Sequence, residues 1–433
     1  MRKHWLSVIF TMCAAIVTMA SAAQPPAIAA QGSAKPESPG GYTQHPIVTW
    51  EHDQVNPSAA FSPLTSQFLV VWEDHHWGWG YDWDIYGRFV DLAGNPVGDW
   101  FGIAWVDDNH RQRPRVSYNS VNDEFLVVYE YAYSATDHDI YARRLASNGA
   151  LIGDEFVIAN STQTETDPAV TYDPADNQYL VVWQQWTGDV EFGNNDLYGR
   201  LLDAGGSMLY SVIPIKTGTT NSESQPTVAC VPAVHQYLVM WSDMIGQYPR
   251  LKKQWVKPDS TLGDYEQSFT VGANYLPRLT ANTRFQEYVY VYEDKTISPT
   301  IQYWGYAELI NAGAGFGGPI AYPSTHDQTN IDVAYNPAAD NYVMVWEDAY
   351  SQSDHDIYML LYDTYSPYYC CLKIGPEAVS STSAWQGNPT VASSSGPVSL
   401  VVWEDGRNSS TYGVDICAAV VWSGKTYMPR VAK

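Results

Sequence analysis

The chain has 433 residues, and 47 acidic against 23 basic residues give it a formal net charge of −24. This excess of negative charge argues against nucleic acid and anionic membrane surfaces as partners, because both present extended negative charge. Aromatic residues make up 14% of the chain, and Trp (17) and Tyr (32) far outnumber Phe (11), so many rings are expected where their polar atoms find partners.

The N-terminus is predicted to be a signal peptide. Arg2, Lys3 and His4 precede an apolar stretch of about 16 residues, followed by small residues at positions 20–23. A membrane anchor is the alternative, but the stretch is shorter than a bilayer span requires. We expect cleavage of residues 1–23, a flexible Pro/Ala/Gly/Ser-rich leader at 24–41, and a secreted or periplasmic protein that is not inserted in the membrane.

A repeat runs through the rest of the chain. Its anchor is an aromatic residue at the end of an apolar run, and successive anchors lie 57, 54, 58, 51, 54 and 57 residues apart. A proline stands fifteen residues before five anchors and fourteen before the last, with Ile331 in its place in the sixth unit. Such regular spacing indicates one supersecondary unit copied in tandem. The anchors are Trp72, Tyr129, Trp183, Trp241, Tyr292, Trp346 and Trp403.

Each unit is predicted to contain four short strands. The first has the pattern Pro-x-Val-x-Tyr, as at Pro114–Tyr118, and leads into a turn rich in Asn, Asp and Pro. The second is apolar on both faces, as at Tyr179–Trp183, which indicates a strand covered on both sides. The third begins Asp-Ile-Tyr, as at Asp84–Tyr86, and the fourth follows a Gly-containing turn, as at Phe156–Ile158.

Units of about 50 residues with four strands favour an all-β, seven-bladed β-propeller of four-stranded antiparallel blades. We expect it to occupy residues 42–433, with Pro46–Trp50 adding an outer strand to the last unit and joining the termini. Lys425–Val431 is the alternative closing strand, and an open solenoid is the alternative architecture. The units lie near 53–106, 107–161, 162–219, 220–271, 272–325, 326–382 and 383–433.

The order of these motifs resembles the WD40-like propeller repeats of the periplasmic TolB type and those of uncharacterised secreted bacterial propellers. The matching pattern is Pro-x-Val-x-Tyr, then an apolar run ending in Trp-Glu-Asp, then Asp-Ile-Tyr, and it covers nearly the whole mature chain. The resemblance implies the propeller fold. A TolB-like partner or translocation role is not carried over, because these units are longer and lack the Ser-Pro-Asp-Gly turn.

Four cysteines remain after the predicted cleavage: Cys230, Cys370, Cys371 and Cys417. Export permits disulfides, and a bond from Cys417 to Cys370 or Cys371 would join neighbouring units. Burial as free thiols is the other alternative, because Cys230 and Cys417 replace tyrosines of the repeat.

The chain carries no recognisable catalytic motif. It lacks a Gly-x-Ser-x-Gly elbow, His-Glu-x-x-His, a phosphate loop and the Ser-x-Asp-x-Gly-x-Thr-Trp box of sialidase propellers. We therefore name no catalytic residue and no required cofactor, and we favour a non-enzymatic role.

Carboxylates recur beside the second and third strands. Glu-Asp follows several anchors and Asp opens the third strand, and antiparallel pairing brings the two to one rim of the fold. Grouped oxygen ligands of this kind make calcium a candidate. We favour a structural role, in which each Asp accepts backbone N–H groups or pairs with the Arg two residues past the tyrosine (Arg88, Arg143 and Arg200). The calcium candidates are Asp84, Asp139, Asp356 and Asp415.

Aromatic residues that the repeat does not require gather on the same rim. The densest set lies in the first unit between the second and third strands, where four aromatic residues and two histidines stand beside glycines. Such rings suit stacking on sugars or clamping of a peptide, whereas packing between neighbouring loops is the alternative. The ligand-binding candidates are His75, His76, Trp77, Trp79, Tyr81, Trp83, Tyr131, Tyr133, Trp186, Tyr350 and Trp385.

The sequence thus predicts a secreted, monomeric propeller that binds carbohydrate or protein through an aromatic and acidic rim. An extracellular glycan-active enzyme, a glycoside hydrolase or lyase, is the alternative, since propellers host such enzymes on this rim. Two carboxyl groups inside a central pocket would favour the enzyme, at roughly 6.5 to 9.5 Å apart for inverting hydrolysis or about 5 to 5.5 Å for retaining hydrolysis.

Overall fold

A computed structural model shows the chain as a succession of β-strands. It describes residues 42–77, 81–105, 109–187, 194–218, 221–245, 248–267, 274–284, 287–294, 302–309, 315–319, 326–363, 371–410 and 413–423. Within these ranges no helix has the length and apolar character needed to cross a bilayer. The strands are β1 (Gln44–Val48), β2 (Gln54–Ser62), β3 (Gln67–Trp77), β4 (Tyr81–Asp91), β5 (Pro96–Ala104), β6 (His110–Asn119), β7 (Glu124–Ser134), β8 (Asp137–Ala146), β9 (Leu151–Ala159), β10 (Glu165–Asp173), β11 (Gln178–Trp186), β12 (Asn195–Asp203), β13 (Ile213–Lys216), β14 (Ser222–Val231), β15 (Gln236–Ile245), β16 (Tyr248–Val256), β17 (Leu262–Gln267), β18 (Asn274–Asn282), β19 (Glu287–Asp294), β20 (Gln302–Leu309), β21 (Gly315–Pro319), β22 (Asp327–Asn336), β23 (Asn341–Ala349), β24 (His355–Asp363), β25 (Cys371–Ser380), β26 (Gln386–Ser393), β27 (Val398–Asp405) and β28 (Asp415–Trp422).

The strands pair into four-stranded antiparallel sheets, which are the blades of a β-propeller. β2–β5, β6–β9, β10–β13, β14–β17, β18–β21 and β22–β25 form blades one to six, each from consecutive strands. A further sheet, the composite blade, has the order β1-β28-β27-β26 and so combines the first strand with the last three. The predicted all-β propeller of four-stranded antiparallel blades is confirmed.

The two ends of the described chain meet in the composite blade. β1 pairs with β28 through Pro46 and Cys417, and it begins two residues before the predicted strand Pro46–Trp50. Trp50 is 48% exposed and lies past the end of β1, where its ring contacts that of Trp100 in blade one. The alternative closing segment near the C-terminus lies outside the described residues.

The innermost strands of adjacent blades contact one another around the fold. β2 contacts β6, and the series continues through β10, β14, β18, β22 and β26 back to β2. The first strand of every blade therefore forms part of the wall of a central channel.

The second strand of each blade is buried on both faces, as its continuous apolar sequence predicts. All seven anchors are at most 8% exposed. Trp183, which is 1% exposed, belongs to a buried cluster with Leu126, Val128 and Ile140 of blade two. The anchors thus fill the space between neighbouring blades, where burial of apolar area drives folding.

Cys230 and Cys417 are buried free thiols. The Cys417 sulfur accepts a hydrogen bond from Arg407 (3.4 Å), and burial raises the pKa of both thiols. Of the two alternatives, burial as free thiols therefore holds for this pair, and Cys417 forms no disulfide. Cys370 and the side chain of Cys371 lie outside the described residues.

Replacement of Trp183 by Ala tests the packing of the anchors. Loss of this ring leaves a cavity between blades two and three, and we expect the free energy of unfolding to fall by about 3 to 5 kcal/mol in urea titrations. Trp422, which is 56% exposed, provides the control, and Trp422→Ala should change stability by less than about 0.5 kcal/mol. If Trp183→Ala and Trp422→Ala lower the free energy of unfolding equally, the assignment of Trp183 to the core is wrong.

Candidate functional site

A β-bulge interrupts the inner strand of each blade at the same place. In blade one, Asn56 and Pro57 together oppose the anchor Trp72. Proline is tolerated there because a bulge leaves one residue out of the hydrogen-bond ladder. The residue before the proline, or before Ile331 in blade six, has a φ of 45° to 57°, a left-handed conformation that is uncommon outside glycine. We call these residues the bulge ring: Asn56, Arg113, Asp167, Gln225, Leu276, Asn330 and Asn388.

A hydrogen bond from the bulge ring links each blade to the blade before it. The acceptor is in most blades the side chain that follows the anchor. The Asn56 N–H donates to Glu404 of the composite blade (2.8 Å), and the Arg113 N–H donates to Glu73 of blade one (2.9 Å). The other pairs of this kind are Asp167 with Glu130, Gln225 with Gln184, Asn330 with Glu293 and Asn388 with Glu347, at 2.8 to 3.3 Å.

Blade four keeps this link although it lacks the glutamate. Ser242 follows its anchor, and the N–H of Leu276 in blade five donates instead to Gln225 Oε1 (3.1 Å). The Ser242 hydroxyl donates to the same oxygen (3.3 Å). The side-chain amide oxygen of Gln225 thus accepts the hydrogen bond that a glutamate carboxylate accepts in most other blades.

The acceptor glutamates are also held from within their own blades. In blade one the Asn56 side chain donates to one oxygen of Glu73 (2.9 Å), and His75 Nε2 lies 2.8 Å from the other. This arrangement fixes the carboxylate between two blades. The corresponding contacts are Asn330 with Glu347 and Asn388 with Glu404, both at 2.8 Å, His138 with Glu130 at 3.3 Å, and His355 with Glu347.

Burial changes the ionisation of this network. Glu404 is 3% exposed, and burial raises the pKa of its carboxyl to about 7, with the charges of Glu347 and Glu73 acting in the same direction. The hydrogen bond to Glu347 raises the pKa of His355. The link between the composite blade and blade one therefore depends on a carboxyl that titrates near neutral pH.

The bulge ring lies at one end of a central cavity, the end nearest the hairpins between second and third strands. The cavity has a volume of about 530 Å³ and is lined by the bulge ring and the next residues of each inner strand. Arg113 pairs with Asp167 across its wall (3.0 Å), and Asp332 accepts the hydroxyl of Thr390 (2.9 Å). The other charged lining residues are Arg115 and Arg278.

The predicted aromatic loop of the first unit is a β-hairpin. β3 and β4 stay paired beyond the anchor, with His75 opposite Trp83, because the ladder satisfies backbone groups that a loop would leave open. The two rings stack at 4.3 Å with 11° between their planes, and the half-buried Trp83 also contacts His110 (4.9 Å). Trp79 and the side chains of His76, Trp77 and Tyr81 lie outside the described residues.

The candidates of blades two and three differ in exposure. Tyr131 is 6% exposed, because it packs between the Tyr141 ring (4.7 Å) and the Arg111 guanidinium (4.8 Å). Tyr133 is 47% exposed, and its hydroxyl lies 2.7 Å from that of Tyr141. Trp186 ends β11 and is half-buried. Tyr133 therefore offers the most open ring of the three.

Tyr350 and Trp385 are both half-buried. Tyr350 packs on His326 (4.3 Å) and shares a hydrogen bond with Tyr358 (2.8 Å). Trp385 covers Gly387, where an added Cβ would lie only 2.4 Å from the indole, so the ring requires glycine beneath it. These two rings are largely covered by the chain itself.

Two of the four carboxylates proposed for calcium, Asp356 and Asp415, accept hydrogen bonds within the fold. Asp356 accepts the Ser381 hydroxyl (2.9 Å) and the Thr382 N–H (3.0 Å), and Asp415 accepts the Asn408 amide (2.8 Å). These bonds tie third strands to the loops beside them. Calcium binding stays a prediction. The candidates Asp84, Asp139, Asp356 and Asp415 are at most 5% exposed.

The expected pairing of these aspartates with arginines of the same strand does not form for Arg88 and Arg200. Their Nη1 groups donate to the carbonyls of Ile47 and Ile158, both at 2.7 Å. Four residues of extended strand separate each Asp from its Arg, which is about 13 Å. That separation is too long for a hydrogen bond.

Sequence reasoning missed both the bulge ring and the cavity arginines. A proline at a fixed place in an inner strand is the usual mark of a bulge, so the signal for the bulge ring was present in the repeat. The arginines also carry a signal, since Arg115 and Arg278 both directly follow that proline.

No family model matches the chain, and no curated protein matches it. A protein of unknown function from Dyadobacter fermentans is similar in structure, with 9% identity and a TM-score of 0.51 over 72% of this chain and 94% of that protein. The leech intramolecular trans-sialidase has 8% identity and a TM-score of 0.46 over 86% of this chain and 68% of its own. The intramolecular trans-sialidase of Ruminococcus gnavus has 7% identity and a TM-score of 0.45 over 86% and 95%.

Likeness at such identity shows the fold and not the activity. The propeller implied by the TolB-type resemblance is confirmed, whereas membership in that family has no sequence match behind it.

Glu404→Gln tests the ionisation of the link to blade one. Folding raises the pKa of the Glu404 carboxyl from 4.5 to about 7, so the carboxyl stays protonated up to a higher pH in the folded chain than in the unfolded chain. The free energy of unfolding therefore decreases as the pH rises through this range. Glutamine cannot titrate, and Gln184 shows that an amide fits this position. As the pH rises through this range, we expect the free energy of unfolding of wild type to fall by up to about 3 kcal/mol more than that of the variant.

The measurement is urea unfolding of both proteins at pH values below 4.5 and above 7. The exposed Glu51 provides the control, because Glu51→Gln removes the same charge without burial. If the free energy of unfolding of wild type and that of Glu404→Gln change equally with pH, the pKa of Glu404 is not raised by folding.

Proposed function

We propose that this protein is an exported propeller that binds a carbohydrate at the bulge-ring end of its central channel. The proposal is carried by the cavity of about 530 Å³, a volume within the range of small-ligand pockets. Its wall combines apolar residues such as Val170 and Ile331 with amide and charged side chains of the bulge ring. Pockets of this mixed character bury a ligand and orient its polar groups.

Aromatic rings beside the bulge ring support a sugar ligand. Trp83 lies with one face on His75, and Tyr133 of the next blade is 47% exposed. Covering an exposed ring removes apolar surface from water and is favourable in free energy. The apolar face of a sugar can cover a ring in this way. A protein ligand would need an interface of about 800 Å² on each partner and would have to extend over the rim well beyond the channel.

In this proposal the propeller is a monomeric, closed ring of seven blades. The cycle of inner-strand contacts from β2 to β26 and back supports the count. The bond from Asn56 to Glu404 supports the closure, since it repeats between the composite blade and blade one the link found between other blades. Export is supported by the signal peptide predicted at residues 1–23.

A glycan-active enzyme is the second candidate, because two carboxylates, Asp167 and Asp332, line the same cavity. Asp167 pairs with Arg113, and Asp332 accepts hydrogen bonds from Thr390 and Val391. These bonds favour positioning roles for both carboxylates, so binding without turnover is the better-supported function.

Trp83→Ala tests carbohydrate binding. The mature protein is screened on a glycan array, and the best ligand is titrated by calorimetry against wild type and variant. We expect at least about tenfold weaker binding with an unchanged melting temperature, because Trp83 is half-buried and lies outside the anchor clusters. Trp422→Ala is the control, since Trp422 lies at the opposite end of its blade, beside Val398.

Three results would overturn the proposal. Binding retained by Trp83→Ala with a lowered melting temperature would assign this ring to packing. Binding to a peptide array and to no glycan would identify a protein ligand. Release of shorter saccharides from the ligand, detected by mass spectrometry, would identify the enzyme.

A further inference from the structure

Two arginines occupy equivalent positions in opposite parts of the channel wall. Arg115 in blade two and Arg278 in blade five each directly follow the proline of the bulge, and both line the cavity. Blades three and four lie between them on one side of the ring, and blade six, the composite blade and blade one on the other side. Their side chains therefore approach the channel from different walls. The other blades carry Ser58, Ala169, Thr227, Asp332 and Thr390 at this position.

Among the residues that the structure describes, few accept hydrogen bonds from these arginines. Arg115 donates to the carbonyl of Pro114 (2.8 Å), and Arg278 donates to the carbonyl of Pro277 (3.1 Å). Neither forms an ion pair with any residue that the structure describes. A guanidinium has five N–H donors, so several on each arginine remain available to a ligand in the cavity.

The electrostatic surroundings of Arg115 are unfavourable for its positive charge. Burial lowers the pKa of Arg115 to about 10, and the positive charge of Arg278 is the next largest cause. Asp167 and Asp332 act in the opposite direction, but they are already bonded to Arg113 and Thr390. Both arginines are half-buried. A charge that is partly withdrawn from water and forms no ion pair is costly, and an anion between the two arginines would lower that cost.

We propose that Arg115 and Arg278 together bind an oxyanion of the ligand, a carboxylate or a sulfate, so that the carbohydrate is an acidic saccharide. This inference rests on the proposed function. Planar guanidinium groups bind carboxylate and sulfate oxygens through paired N–H donors. The remaining sugar units then lie towards the bulge ring and the rim.

The charge of the whole protein makes the placement of this pair important. A net charge of −24 repels acidic saccharides at long range. Selection of such a ligand must therefore come from short-range contacts inside the channel, where the walls exclude part of the screening water. The two arginines are the charged lining residues placed to make those contacts.

The test compares wild type with the double variant Arg115→Gln/Arg278→Gln. The probes are an oligogalacturonate, its methyl ester, a sulfated galactan oligosaccharide and inorganic sulfate. The ester is the matched neutral ligand, since it differs from the acid only at the carboxyl group. We expect wild type to bind one acidic saccharide at least about tenfold more tightly than the ester, and the double variant to lose that preference.

The comparison between the acidic probes identifies the anion. Tighter binding of the uronate indicates a carboxylate ligand, and tighter binding of the sulfated oligosaccharide indicates a sulfate. Arg284→Gln controls for loss of a surface arginine, because Arg284 pairs with Asp340 away from the cavity. Should the double variant fail to fold, Arg115→Lys and Arg278→Lys keep the charge but remove the paired donors, and each should lower the preference.

Two results separate this inference from the proposed function. Equal binding of acid and ester by wild type, or a preference kept by the double variant, would overturn the anion site while leaving carbohydrate binding intact. Binding of no saccharide, with inorganic sulfate raising the melting temperature of wild type and not of the double variant, would overturn carbohydrate binding, and the acidic-saccharide ligand with it.

Discussion

The hydrogen bond from each bulge to the blade before it determines how the blades meet. A bulge turns one backbone N–H out of its own ladder, and inside a packed interface that group must find another acceptor. The residue after the anchor of the preceding blade provides one in six of the links, as between Asn56 and Glu404. The anchor, the bulge and the acceptor therefore form one structural unit that is shared by two blades.

Apolar burial and the bulge hydrogen bonds contribute differently to the interface between neighbouring blades. Burial of Trp183 and the other anchors stabilises the stack of blades but fixes no register, because hydrophobic contact is not directional. The bulge bonds fix the register, since they require one donor to meet one acceptor. Blade four shows the distinction: its anchor Trp241 is kept, whereas Ser242 and Gln225 rebuild the polar link in a different way.

Much of the fold could be predicted from the sequence, because its signals are local. The apolar runs, the anchors and the turns repeat with a period that only a tandem strand unit explains, and even a terminal closing strand was expected. The site could not be predicted to the same depth. Tyr131 looks like a rim aromatic by its position, yet Arg111 and Tyr141 cover it. Arg115 and Arg278 are far apart in the chain and share a cavity only once the blades are assembled.

The composite blade has a consequence for the order of folding. Of the described strands, β1 is made first and β28 last, and the two pair with each other. Until β28 is available, β1 has no partner strand, and the remaining pair β27 and β26 would expose an edge open to pairing with other chains. Closing so long a loop costs only slightly more entropy than closing a short one, but the contact joins the first and last described strands and is expected to form late. Chains that stop short of β28 would therefore stay open and be preferred substrates for proteases.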